Sequence, residues 1–192
     1  MTTSDFPPQA LNKSMLEAVD FIHAEGWDQP PTLFALVPAS LLDDAMPEVF
    51  AEEDEHTPLA LVVQDMLPEH ILPGSEELGE FLASIVWPDQ VVGAVLAQEI
   101  MFYDSSASDS STSITDAALD ISAVPQARPA RLFSGVLGTY AQLTLLQLRP
   151  SEEELATKGP FAEDDIELRG GENIAPGVIA ALQYPFEHPG GY

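Results

Sequence analysis

Glu99 is the residue of this sequence best placed to do chemistry. It stands in the run Val91–Tyr103, where only Gln98 and Glu99 interrupt an otherwise apolar stretch. That run reads as a long strand covered on both faces. A carboxylate in such a strand must be paired, hydrogen-bonded or protonated. Of the six basic residues, Arg128, Arg131 and Arg149 gather near the open end of a hairpin predicted over 131–148. A Glu99–Arg131 ion pair is therefore the simplest account of Glu99, and general acid or base catalysis is the competing one. Trp27, Asp28 and Trp87 follow as candidate binding-surface residues, because each tryptophan sits just past a predicted helix where an indole serves as packing anchor or stacking platform.

The remaining side chains exclude more than they suggest. His23, His56, His70 and His188 include no pair at a spacing that would aim two imidazoles at one metal. The acidic block Glu52–Glu55 lacks the alternating ligands and central Gly of a calcium loop. No phosphate-cradling glycine pattern and no Gly-x-Ser-x-Gly elbow occur, and the absence of cysteine removes thiolate catalysis. The sequence thus names no catalytic, cofactor-binding or metal-binding residue, and no cofactor is expected.

Charge gives the second constraint. Residues 1–127 hold 23 Asp and Glu but a single basic residue, Lys13, within a formal net charge of −26. Such a surface repels nucleic acid and anionic lipid and attracts basic proteins. The expectation is a binding or adaptor protein whose acidic surface recognises a basic partner, with a carboxylate-based or metal-assisted enzyme using Glu99 as the alternative. Apolar runs fall far short of the ~20 residues needed to span a bilayer, so no membrane span is expected. The N-terminus lacks a basic start and apolar run, and the chain has no cysteine, which together suggest the cytoplasm.

These residues need a scaffold to hold them. With 45% hydrophobic residues the chain can bury a core as one domain over residues 1–192. Leu11, Met15, Val19 and Ile22 recur at spacings of four and three, a helix stripe closed by Gly26. Thr32–Val37 and Leu59–Met66 read as strands. Ser75 caps a helix carrying Leu78, Leu82 and Ile85, and Trp87–Pro88 ends it. Arg131–Leu137 and Tyr140–Leu148 form a hairpin about Gly138–Thr139. Pro176 opens a last helix. The Ser-rich segment 105–115 reads as a flexible loop and 152–171 as an acidic one. The order predicts an α+β fold: an antiparallel or mixed sheet of about four to five strands with helices packed on it.

Three blocks also carry a family resemblance: Gly26–Trp27–Asp28–Gln29–Pro30–Pro31 leading into Leu33–Val37, Trp87–Pro88–Asp89 before Val91–Gly93 and Glu99, and Ala175–Pro176–Gly177. In these the chain resembles a family of uncharacterised small acidic actinobacterial proteins. The resemblance implies no assigned activity and no catalytic residue.

Overall fold

The computed structural model describes residues 6–39, 41, 59–64, 67–73, 75–103, 127–138, 141–149, 155–157, 159, 168–170 and 176–188. The Ser-rich segment 105–115, the block Glu52–Glu55 and most of 152–171 lie outside the described residues. The elements run α1 (Pro8–Glu25), β1 (Thr32–Pro38), β2 (Leu59–Gln64), α2 (Glu76–Ser84), β3 (Gly93–Tyr103), β4 (Ala127–Leu137), β5 (Ala141–Leu148), β6 (Leu168–Gly170) and α3 (Pro176–Glu187). The strands form one sheet in the order β2-β1-β3-β4-β5-β6, and every neighbouring pair is antiparallel. This is the α+β architecture that the sequence predicts, with six strands in place of four to five because three residues of the acidic segment pair with β5.

Side chains alternate across a strand, so the two faces of the sheet have separate cores. On one face Phe34, Leu36, Val95, Ala97, Phe133 and Leu137 pack beneath Leu11, Met15, Ala18, Val19 and Ile22 of α1. On the other, Leu33, Ala94, Leu96 and Val136 meet Leu78 and Leu82 of α2 and Ile179 and Leu182 of α3. The strands β3 and β4 are therefore sandwiched, which accounts for their apolar composition on successive residues.

Local chemistry sets the ends. Helix α1 starts on Pro8, whose missing N–H costs nothing in the first turn, and stops at Gly26, whose φ of 93° suits only glycine. Gly26 N–H donates to the carbonyls of Ile22 and His23. Ser75 caps α2, its Oγ accepting from Leu78 N–H at 3.2 Å. Ser75→Ala should cost about 1 kcal/mol of stability, read as a lowered urea midpoint with an unchanged slope. Strand β4 starts at Ala127, earlier than the sequence suggests, and runs through Pro129, which has no N–H to donate but whose carbonyl accepts from Arg149 N–H at 2.9 Å.

Candidate functional site: a polar row beneath the first turn

Glu99, Arg131 and Gln147 occupy one line across the sheet, since Glu99 pairs with Arg131 in the β3–β4 register and Arg131 with Gln147 in the β4–β5 register. All three fall on the face that α1 covers, one step beyond the last large core side chains. The C-terminal end of α1 and the turn after it close over this row. The row is polar because it lies where the helix stops and the connection to β1 begins.

The contacts are specific. Glu99 accepts from two backbone donors of the turn, Asp28 N–H at 2.7 Å on Oε1 and Gln29 N–H at 2.9 Å on Oε2. Asp28 has φ 66°, the left-handed conformation that a non-glycine residue adopts at a cost, and Glu99 holds the two successive N–H groups of that bend in register. Arg131 is 1% exposed. Its Nη1 donates to Gln147 Oε1 at 3.2 Å, which turns the Gln147 Nε2 toward His23 Nδ1 at 3.4 Å. Because Arg131 can only donate, it fixes the Gln147 amide orientation, and His23 Nδ1 must then accept.

Trp27 roofs the row. The Arg131 guanidinium carbon lies 4.0 Å from the indole centroid and that of Arg149 5.3 Å, so two cations share one aromatic platform. Arg149 Nη1 also meets Asp28 Oδ1 at 3.3 Å, with the two side chains 39% and 82% exposed. So open a pair contributes at most about 1 kcal/mol. Burial, above all, lowers the Arg131 guanidinium from its ordinary range; the negative charge of Glu99 opposes that shift and nearby Arg149 adds to it.

The sequence-predicted residues divide cleanly. Glu99 and Arg131 are neighbours across the strands, yet the Glu99 oxygens go to the turn while Arg131 turns its Nη1 to Gln147. Among the described residues, Nε and Nη2 of Arg131 have no hydrogen-bond partner. Trp27 and Asp28 join this row. Trp87 does not: it stacks on Phe186, with centroids 6.4 Å apart, in the core beneath α2 and α3 on the opposite face. The Arg128 side chain lies outside the described residues. Gln147 was not singled out from sequence, and His23 was weighed only as a metal ligand; the available signal for Gln147 was an amide interrupting the apolar end of β5. Among the described residues no three His, Asp or Glu side chains converge as a metal site, and no helix is long and apolar enough to cross a membrane.

Fold and row together define an antiparallel α+β protein whose helix-covered face ends in a buried, aromatic-roofed guanidinium. The chain belongs to the family described as PPA1309-like protein, whose model matches residues 11–187. That span contains the whole row from His23 to Arg149, and the family is uncharacterised. The comparisons find no matching curated protein and no matching solved structure.

Proposed function

We propose that this chain is a non-enzymatic binding or adaptor protein, cytoplasmic and of actinobacterial origin, whose acidic exterior recognises a basic protein. The observation that supports this reading is the separation of its charges. Asp20, Glu25, Asp28, Glu69, Glu76, Glu77, Glu80, Asp89 and Glu187 are all exposed. The described cationic side chains are withdrawn by contrast: Arg131 is buried, Arg149 is tied to Asp28, and Lys13 is half-buried. With a formal charge of −26, the exterior presents carboxylates with little cationic relief. Glu99 favours the same reading over carboxylate catalysis, because both of its oxygens are occupied in holding the turn.

Charge complementarity acts chiefly on the encounter rate. Affinity capture from the source cell's lysate at low and high NaCl, followed by association kinetics with the recovered protein, tests the reading. The expected result is a basic partner whose association slows about tenfold or more as salt rises, and slows again in a Glu76→Gln, Glu77→Gln, Glu80→Gln variant. Recovery of no specific partner at either salt, or of one whose kinetics ignore salt, would count against it.

A further inference from the structure

The polar row uses only part of the donor capacity of Arg131. Its Nε and Nη2 are buried and have no partner among the described residues, while Nη1 is committed to Gln147. Nε–H and Nη2–H are the adjacent, coplanar donors of one guanidinium edge, and their spacing matches the two oxygens of a carboxylate. An ionised group left with two unmet donors inside a protein is costly, more so than a neutral one.

The carboxylates nearest to it are already engaged. Glu99 is the register neighbour of Arg131, but its oxygens bind Asp28 N–H and Gln29 N–H. The Asp28 carboxylate bonds Arg149. Above the guanidinium lies the Trp27 indole at 4.0 Å, an apolar wall carried on a turn rather than on a helix or strand. That turn is fastened by the two Glu99 hydrogen bonds, by Gln29 Nε2 donating to the Glu25 carbonyl at 3.4 Å, by the water-exposed Arg149–Asp28 pair and by the Trp27 stack on the two guanidinium groups.

We propose that Arg131 anchors a binding site for a small monocarboxylate, its two oxygens on Nε–H and Nη2–H and its apolar body against Trp27. A single negative charge follows from the surroundings. Arg131 and Arg149 are balanced by Glu99 and Asp28, and the −26 of the whole chain repels a ligand in proportion to its charge. A planar carboxylate therefore suits the edge better than phosphate. The site rests on this one guanidinium and needs no basic protein partner, so either reading can fail alone.

The test is a titration of the Arg131 Nε–H resonance in uniformly ¹⁵N-labelled protein with benzoate, with neutral benzamide and with inorganic phosphate. Benzoate should shift that resonance saturably, benzamide should leave it in place, and phosphate should bind more weakly. Trp27 fluorescence in a Trp87→Phe background should change over the same benzoate range. Arg131→Lys, which keeps a charge and loses the fork, should abolish saturation; if that variant does not fold, the wild-type titration and the Trp27 signal decide the matter. No benzoate-dependent shift, an equal shift with benzamide, or tighter binding of phosphate would overturn the proposal. So would a ligand-free Nε–H resonance that moves on Glu99→Gln to the position of an unpaired guanidinium, because Glu99 would then already fill the edge.

Discussion

Glu99→Ala should lower the unfolding free energy by about 3 kcal/mol, against about 1 kcal/mol for Glu99→Gln. The alanine variant removes the acceptor of two charge-assisted hydrogen bonds and leaves Asp28 N–H and Gln29 N–H to water. It also removes the negative charge that opposes the desolvation of Arg131. Glutamine keeps one acceptor oxygen for one of the two donors, so about half of the local structure survives. Because Glu99 is half-buried, water recovers part of the loss, which places the expectation near the low end for two charged hydrogen bonds.

Arg131→Met behaves differently. Its volume is close and it removes the two unmet donors, but it leaves the buried Gln147 Oε1 without its donor and Trp27 without its cation, so stability should fall by about 1–2 kcal/mol. In that background Glu99→Ala should cost about 1 kcal/mol less than it does in the native chain, since the two charges are coupled across the strands. Urea unfolding of the four proteins in this cycle provides the measurement. Equal costs for Glu99→Ala in both backgrounds would show that Glu99 serves the turn alone and that its charge does nothing for Arg131.

The row shows which interactions a sequence carries and which it hides. Glu99 was visible because a carboxylate breaks an apolar strand, and Arg131 because it is one of three arginines near the open end of the predicted hairpin; the register that puts the two side by side belongs to the fold. The real acceptor role of Glu99 was hidden because its donors are backbone groups 70 and 71 residues away, and a backbone N–H has no residue type to announce it. Trp27 was legible as an anchor after the helix stop at Gly26, but its guanidinium partners depend on how α1 lies across the sheet. That angle is a packing outcome. Strand β6 was missed for a related reason: Leu168–Gly170 is too short for alternation to register and pairs through its backbone with β5. The elements themselves were legible because their signals are local, as with the Ser75 cap, Pro176 and the four-and-three spacing in α1.

The burial of Arg131 and the pairing of Arg149 with Asp28 also link the row to the surface. A cation stacked beneath Trp27 leaves the outside more negative, so the architecture that closes the helix-covered face accentuates the negative charge of the exterior. Burial of Arg131 is unfavourable in itself, and lowers its guanidinium accordingly. The compensation comes from the indole, Gln147 and Glu99, and the remaining edge is what a carboxylate ligand would satisfy.

Gly93 sets how closely two strands of the sheet approach and Gly135 how closely α1 lies on the sheet, and they should respond unequally to a methyl group. Gly93→Ala is expected to cost about 3 kcal/mol or more, because the new Cβ would collide with the backbone carbonyl of Val136 and crowd Leu137 Cα at 3.3 Å. Backbone atoms of a central strand cannot rotate away, so β3 and β4 would have to part at the end where Val92 N–H donates to Leu36 and Gly138 N–H to Val92, each at 2.8 Å. Gly135→Ala meets a side chain instead. Its Cβ would strike Met15 Sδ and press on Leu11 Cδ1 at 3.2 Å, and Met15 is flexible enough to move, so the cost should be about 1–2 kcal/mol. The comparison becomes decisive with Met15→Ala, which alone should cost about 2–5 kcal/mol by opening a cavity under α1. Combined with Gly135→Ala, the two should destabilise by less than the sum of their separate effects, since the added methyl partly fills the space vacated, whereas Gly93→Ala and Met15→Ala should add. Additivity for Gly135 as well would mean that α1 does not rest on that part of β4.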